Sequence, residues 1–367
     1  MLTGLKSRWF ILLISFFVLH FVSGLVSENK SEGLRMIEQS SGFLGFPYFL
    51  FLFTFSSDTL KKIISAFVSG CFFALVACLF RAAFKYFFEG ENYFYYNHFS
   101  YFMHAGYFSM YLLFAAILAY LIYPVWFTGD KKLYLVRIPF LLLFVIGIIL
   151  CASKIGIIAM GIVTIILIIL KFKERYSLKG VLLVILTSAT LIYAAILVFP
   201  GTYQRLKASF ETATSKNIDK TSSESTAVRM LIWKECREII SENILSGTGA
   251  GDANDVLLSK YREKGLTGAL DHNLNAHNQF FQTFIGTGII GFCLILMFTA
   301  GALVYSVLKR NHILFLFSVI IILNFLVESM LQTQAGNLFF VFFLSLLLKY
   351  DLVKIENNTP SPSCQKV

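Results

Sequence analysis

Residues 270–307 read LDHNLNAHN and then, without a break, QFFQTFIGTGIIGFCLILMFTAGALVYSV. The first part is polar, whereas 279–307 holds no Asp, Glu, Lys or Arg. About 20 apolar helical residues cross a hydrocarbon core of roughly 30 Å. The junction at Asn278 therefore reads as the point where a water-facing segment enters a membrane helix.

The same test, carried outward, classifies the whole chain. Of 367 residues, 57% are hydrophobic and 14% charged, and the mean hydropathy is +0.73, too greasy for a water-facing surface. Further apolar runs stand at about 9–26, 42–56, 63–84, 105–125, 133–152, 155–172, 180–199, 313–328 and 335–349. The reading is an all-α polytopic membrane protein with about ten spans (ten to twelve, the N-terminal third being least defined), since helices satisfy their own backbone in lipid. Its organisation is membrane helices in 1–199, a large helical loop in 200–278, three more membrane helices in 279–350 and a disordered cytoplasmic tail in 351–367. The first span follows Lys6 and Arg8 but precedes no small-residue cleavage site, so it reads as a retained helix.

The net charge of +10 acquires meaning from its distribution. Lys61, Lys62, Lys131, Lys132, Lys171, Lys173, Arg175, Lys179, Lys309 and Arg310 fall in alternate connections on the side of the N-terminus, and the opposite short loops carry only Lys30, Arg35, Arg81, Lys85 and Lys154. The positive-inside bias then puts both termini in the cytoplasm and the long loop outside. The excess charge is thus a topology signal, and no nucleic-acid partner is implied. Of the cysteines, Cys236 alone lies in the long loop, and neither CxxC nor HxxxH spacing occurs, which argues against a disulfide framework and against a metal site.

Several polar residues stand near the expected outer surface. Ser27–Ser41 alternates charge signs and reads as a solvated connector. Arg81 and Lys85, followed by Tyr93 and Tyr95, read as snorkelling cations in an aromatic belt. His104 and Tyr107, three apart at the mouth of a span, suit either helix anchoring or the lining of a site. Lys154 lies between lipid-grade residues, where a cation is expensive unless it reaches water or meets an anion. Glu328 has no Lys or Arg in its own loop and needs a partner from elsewhere or exposure to water.

In the long loop, Ser223–Glu242 reads as a helix with Arg229, Trp233 and Arg237 along one stripe. Lys234 has Glu238 at i+4, whereas Arg229 and Arg237 have no acid at i±3 or i±4, which leaves two guanidinium groups for an external anion such as phosphate. Gly247, Gly249 and Gly251 alternate, but no strand precedes them and no Gly-Lys-Ser/Thr follows, so a tight turn is a better reading than a nucleotide cradle. A second helix is expected over Asn254–Lys264. The chain then reaches Asn275, His277 and Asn278. An imidazole ordinarily titrates near neutral pH, and His277 opens a long helix at the membrane surface, which makes it the strongest general-base candidate.

These landmarks resemble the O-antigen ligase and O-antigen polymerase superfamily of bacterial envelope glycosyltransferases. The resemblance is carried by the large loop between late spans, Arg229 with Trp233, the Gly-x-Gly-x-Gly turn, His277-Asn278, Gly286, Gly288 and Gly291, Ser153-Lys154-Ile155-Gly156, and His104-Ala-Gly-Tyr107. It implies a fold resembling the GT-C class, residence in the bacterial inner membrane, and transfer of a glycan from undecaprenyl diphosphate to an acceptor sugar at the periplasmic face, without a metal or other cofactor. His277 and Arg229 would be catalytic, His277 deprotonating the acceptor hydroxyl and Arg229, with Lys154, holding the leaving diphosphate. Arg237, Asn278, Asn275, His104, Tyr107 and Glu328 would bind substrate. The chain departs from the family pattern in having Asn275 where a first histidine is common and Lys154 where arginine is usual; lysine keeps the charge and loses the bidentate fork. Ligation to lipid A-core is the leading expectation, with polymerisation onto another lipid-linked glycan as its alternative. A polysaccharide-lipid transporter is the reading from a different class; it would place its polar residues at mid-membrane rather than at one surface.

Overall fold

The computed structural model describes residues 6–126, 131–172, 207, 219–221 and 225–352. The expected span at 180–199, loop residues 208–218 and the tail beyond 352 lie outside the described residues. Within them every regular element is helical. The first eight helices are α1 (Arg8–Val26), α2 (Lys30–Ser40), α3 (Gly42–Leu52), α4 (Ser57–Phe84), α5 (Tyr96–Phe99), α6 (Ala105–Trp126), α7 (Lys131–Leu150) and α8 (Lys154–Phe172). The remainder are α9 (Ser225–Glu242), α10 (Ala253–Lys264), α11 (Thr267–Asp271), α12 (Gln279–Leu296), α13 (Ala302–Lys309), α14 (His312–Phe325) and α15 (Gln334–Lys349). Among the described residues, four helical stretches are long and apolar enough to cross a membrane: Arg8–Val26, Ser57–Glu89, Ala105–Ile122 and Gln279–Lys309. Shorter apolar helices occupy Pro139–Leu150, Lys154–Leu170, His312–Phe325 and Gln334–Lys349.

The chain divides into two compact units. One comprises Met1–Thr54, Tyr203–Leu308 and Ile321–Lys349; the other comprises Phe55–Thr202, Lys309–Ile320 and Tyr350–Val367.

In the first unit, α1 turns back into α2, and the crossing is tight: a Cβ on Gly24 would lie 2.7 Å from the Gly33 carbonyl oxygen. Asn29 caps α2 by accepting the Glu32 N–H. At 11 residues, α3 is about 16 Å long and too short to cross the membrane alone. Ser41 keeps helical dihedrals (φ −58°, ψ −26°), however, so α2 and α3 form one nearly continuous column from Lys30 to Leu52. The expected solvated connector Ser27–Ser41 is therefore mostly the packed helix Lys30–Ser40; the glycine contact and the Asn29 cap outweigh its alternating charges. Phe16, Phe43, Phe298 and Phe340 fill the space between α1, α3, α15 and the turn after α12, with Phe16 and Phe43 rings 4.4 Å apart. Lys349 donates to the Leu50 carbonyl at 2.6 Å, satisfying the C-terminal end of α3.

The polar segment folds onto this unit as a small helical lobe. Val228, Ile232, Cys236 and Ile239 recur at helical spacing on α9 and bury against Leu257, Tyr261, Leu266 and Ala269. Glu238 takes Lys260 at 2.8 Å and Lys264 at 3.3 Å from α10, so the expected Lys234–Glu238 pairing gives way to bridges between helices. Both lysines hold the Glu238 carboxyl below its ordinary range.

The glycine repeats fasten lobe to helix. Gly288 interrupts α12 with φ 63° and ψ −158°, a conformation that is essentially glycine's alone. The kink releases backbone groups that the turn takes up: Thr248 N–H donates to Ile285 O (2.7 Å), Gly249 N–H to Gly286 O (3.1 Å), and Ile289 N–H to Ile244 O (2.9 Å). The remaining turn amides are also used, Ala250 N–H on Ser23 Oγ and Gly251 N–H on Ser27 Oγ. Asp252 accepts the N–H groups of Glu28 and Asn29 at 2.9 and 2.8 Å. With its amides committed to protein acceptors, this turn is a docking device and not a phosphate cradle.

In the second unit, α6 is the most enclosed helix, with Leu112, Leu113, Phe114 and Ala115 all buried. Gly147 of α7 admits Leu75 of α4, whose Cδ1 would be 2.6 Å from a Cβ there. Arg81 donates to His98 O at 2.8 Å and lies over the rings of Tyr93 and Tyr101, while Lys85 pairs with Glu89 and Glu91.

Candidate functional site

In the first unit, the site begins where α12 begins. Asn278 caps that helix, its Oδ1 accepting the Phe281 N–H at 3.1 Å, and its Nδ2 donates to Leu326 O at 3.1 Å. Gln279 Oε1 accepts the Leu331 N–H at 2.7 Å. Two successive side-chain amides thus clamp the segment that follows α14, at Leu326 and at Leu331 in a short 3-10 turn, and Glu328 lies between the clamps.

Glu328 meets both Arg229 and His277. Arg229 Nη2 approaches its Oε1 at 2.7 Å, and His277 Nδ1 approaches its Oε2 at 3.2 Å. The three side chains are 19–23% exposed, so the cluster is sheltered but reaches the surface. Arg229 is therefore engaged by an acid 99 residues away, which corrects the expectation of an unpaired guanidinium. Local spacing alone could not show it. A carboxylate accepts and does not donate, so Nδ1 carries a proton, and in the neutral imidazole Nε2 then keeps its lone pair.

The backbone also shapes the cluster. His277 has φ 44°, a left-handed conformation that costs a non-glycine residue about 1–3 kcal/mol. Asn275 Oδ1 accepts the His277 N–H at 2.9 Å, Gln282 Oε1 accepts the Ala276 N–H at 3.0 Å, and Trp233 Nε1 donates to Ala276 O at 3.0 Å. Trp233, Gln279, Gln282 and Asn254, which takes the Gln282 amide at 3.0 Å, were not among the expected site residues. Their signal in the sequence is the row of amides and hydroxyls, Gln279, Gln282 and Thr283, opening an otherwise apolar helix.

Arg237 is exposed two turns along α9 from Arg229 and forms no ion pair among the described residues. On the same helix Glu235 is only 4% exposed; burial, then Glu238, push its carboxyl above the ordinary range, opposed by Lys264, Lys234 and Lys260.

The second unit holds the other expected residues. Ser153 Oγ accepts the Gly156 N–H at 3.3 Å and caps α8, so half-buried Lys154 stands at that helix's first position. A Cβ on Gly156 would lie 2.4 Å from Ser109 Oγ, which shows how closely the starts of α6 and α8 approach. His104 Nδ1 accepts the Gly106 N–H at 3.2 Å, and its ring centroid is 6.2 Å from that of Tyr107. His104, Tyr107 and Lys154 thus gather at one end of two packed helices, whereas Arg229, Asn275, His277, Asn278 and Glu328 gather in the first unit.

Fold and geometry define a helical membrane protein with a sheltered histidine–carboxylate–arginine cluster at the mouth of an apolar helix. The family model described as O-antigen ligase matches residues 139–296, less than half of the chain, and over that stretch, which includes Lys154, Arg229 and His277, the chain is similar to this family. No curated protein matches it.

Proposed function

We propose that the protein is an inner-membrane glycosyltransferase that moves a glycan from undecaprenyl diphosphate to an acceptor sugar at the periplasmic face, with lipid A-core as the acceptor. The observation that carries this reading is the bridging of Arg229 and His277 by Glu328. Glu328 positions the imidazole, and Nε2 of His277 takes the proton of the acceptor hydroxyl. That oxygen then forms a bond to the anomeric carbon of the donor sugar. The bond from this carbon to the diphosphate oxygen breaks, and the diphosphate leaves with the electron pair. Arg229 stabilises the charge that develops on it, as a guanidinium fork suits phosphate oxygens. Lys154, at a capped helix start, and exposed Arg237 are further anion-binding candidates, and His104, Tyr107, Asn275 and Asn278 remain with substrate or with the loop that shapes its site. The long loop faces the periplasm and both termini the cytoplasm, on the charge distribution along the sequence.

A deletion strain complemented with wild type or His277→Ala tests the reading by surface polysaccharide on a gel. Lipid A-core without O-chain in the His277→Ala strain is the expected result. Core bearing a single repeat would move the protein to polymerisation, and normal polysaccharide would remove His277 from the chemistry. Arg229→Lys keeps the charge but loses the fork, and is expected to lower transfer.

A further inference from the structure

Inside the first unit, α1 is a ruler for the membrane. Its 19 residues from Arg8 to Val26 rise about 28 Å, close to the roughly 30 Å of a hydrocarbon core, and only Arg8 among them is charged. Glu28 and Lys30 follow at once, with Lys30 Nζ donating to Leu25 O at 2.9 Å. Val26 therefore marks the edge of the core on the side of the long loop. Ser23 lies one turn inside that edge, and its Oγ donates to Gly286 O at 3.4 Å. The glycine turn reaches deeper. Ile289 N–H donates to Ile244 O at 2.9 Å, and a Cβ on Gly288 would lie 2.2 Å from Leu245 O. Gly288 and Ile289 follow Gly286 into α12, so Ile244 and Leu245 stand about 8 Å inside the level of Val26.

The stretch has the chemistry that this depth demands. Residues 243–251, NILSGTGAG, hold no Asp, Glu, Lys or Arg. Ile244 and Leu245 are 50% and 78% exposed, although the lobe buries its other apolar residues at helical spacing. Irregular backbone is tolerated below a membrane surface only where protein groups satisfy it. Here the N–H groups of Gly247, Thr248, Gly249, Ala250 and Gly251 all have protein acceptors. The flanking charges are drawn away from the tip. Glu242 turns to Lys260 at 3.3 Å, and Asp252 to the N–H groups of Glu28 and Asn29, beyond the end of α1. Beside the tip Ile290 of α12 is exposed, and at the end of α1 so are Val22 and Leu25, surfaces that lipid covers on spanning helices.

We infer that Ile244 and Leu245 are a membrane anchor whose side chains enter the acyl chains of the leaflet on the side of the long loop. Apolar residues of interfacial segments sit about 5–10 Å into the boundary of headgroups and acyl chains, which is the depth that α1 measures here. The anchor lies directly after α9, the helix of Arg229 and Trp233, and so sets the height of that helix over the membrane. The entry of α12 into lipid, expected at Asn278, then moves about one turn along the helix, and Gln279 stands with His277 outside the core. The anchor concerns only chain and lipid, and holds whichever compartment the lobe faces.

Single nitroxide labels on the full chain in nanodiscs of phosphatidylethanolamine and phosphatidylglycerol test it. Exposed Cys293 and the tail thiol Cys364 are first replaced by serine; the other described cysteines are buried. Labels are then placed by Leu245→Cys, by Ile290→Cys as the lipid reference and by His272→Cys, exposed ahead of His277, as the water reference. Oxygen partitions into acyl chains and a nickel chelate stays in water, so the ratio of the two broadenings reports depth. At Leu245 the ratio is expected to be severalfold above that at His272 and close to that at Ile290. A ratio equal to that at His272 would overturn the anchor. So would shielding from both reagents, which would show that a second copy or another protein covers the tip. Where the label lowers melting, Leu245→Trp in lipids with brominated acyl chains takes its place. Fluorescence quenching beyond that of wild type is expected, and quenching no greater than wild type overturns the proposal.

Discussion

Glu328 meets an imidazole with one oxygen and a guanidinium with the other, and the roles proposed for His277 and Arg229 rest on this division. Removing it by Glu328→Ala frees the ring of His277 to choose either tautomer and unpins Arg229. Transfer is expected to fall about 10²–10⁴-fold, the scale of a lost general base, mainly in kcat, with membrane yield unchanged. A rate within a factor of two of wild type, measured with purified protein and lipid-linked donor, would refute the positioning role. Glu235 is a different kind of carboxyl. Its folded-state pKa is raised by burial, so its contribution is present below the unfolded value and is lost as pH rises through the folded one. Wild type is therefore expected to lose stability above the ordinary carboxylate range, and Glu235→Gln to melt higher than wild type at alkaline pH with no such gain in acid, as thermal unfolding at a series of pH values will show. Sequence spacing made Arg229 and His277 candidates, one as a cation without a local acid and the other as a base at a helix entrance. It could not pair them, because their common partner is 99 and 51 residues distant.

At the scale of elements, the informative pair is the glycine turn and the kinked helix. Gly288→Ala puts a methyl group 2.2 Å from the Leu245 carbonyl oxygen in a conformation that alanine does not tolerate. A loss of about 1–3 kcal/mol from backbone strain alone is expected. Gly70→Ala in α4 is the control: nothing lies within 4 Å of the added carbon, and helix propensity favours alanine by up to about 1 kcal/mol. Fluorescence-detected gel filtration after heating separates the two, and equal melting of both variants would contradict the docking role of Gly288. The alternation of Gly247, Gly249 and Gly251 was legible as a tight turn, and so were the helices that flank it. Its target was not legible, since a kink released by Gly288 supplies the acceptors. The helix Lys30–Ser40, which leads into the span expected from 42 onward, was missed for a related reason: alternating charges look like a connector until Gly24 and Gly33 are seen in contact.

At the scale of the molecule, the strongest expectation concerns orientation. Basic residues concentrate in alternate connections, so a green fluorescent protein fused to the C-terminus is expected to fluoresce, and alkaline phosphatase inserted at exposed Lys234 to be active. Inactive phosphatase at Lys234, with that fusion stably made, would invert the topology and place His277 in the cytoplasm, away from the proposed lipid-linked donor. The family match spans the α7–α12 region and leaves Glu328 beyond its end. The carboxylate that bridges His277 and Arg229 thus lies outside the stretch that matches the family model.

Sequence by itself determined the class of protein, the positions of most apolar helices, the side of the membrane that the long loop is expected to face, and the residue types capable of chemistry. Each of these follows from composition and local spacing, because span length, helical periodicity and charge bias act over a few turns of chain. Only the tertiary structure decided which of those residues meet. Glu328 reaches Arg229 and His277 because Asn278 and Gln279 clamp its segment to α12, and the glycine turn docks because a distant kink leaves backbone groups exposed. Both depend on hydrogen-bonding groups brought together across long separations, and no local pattern in the chain records such a meeting.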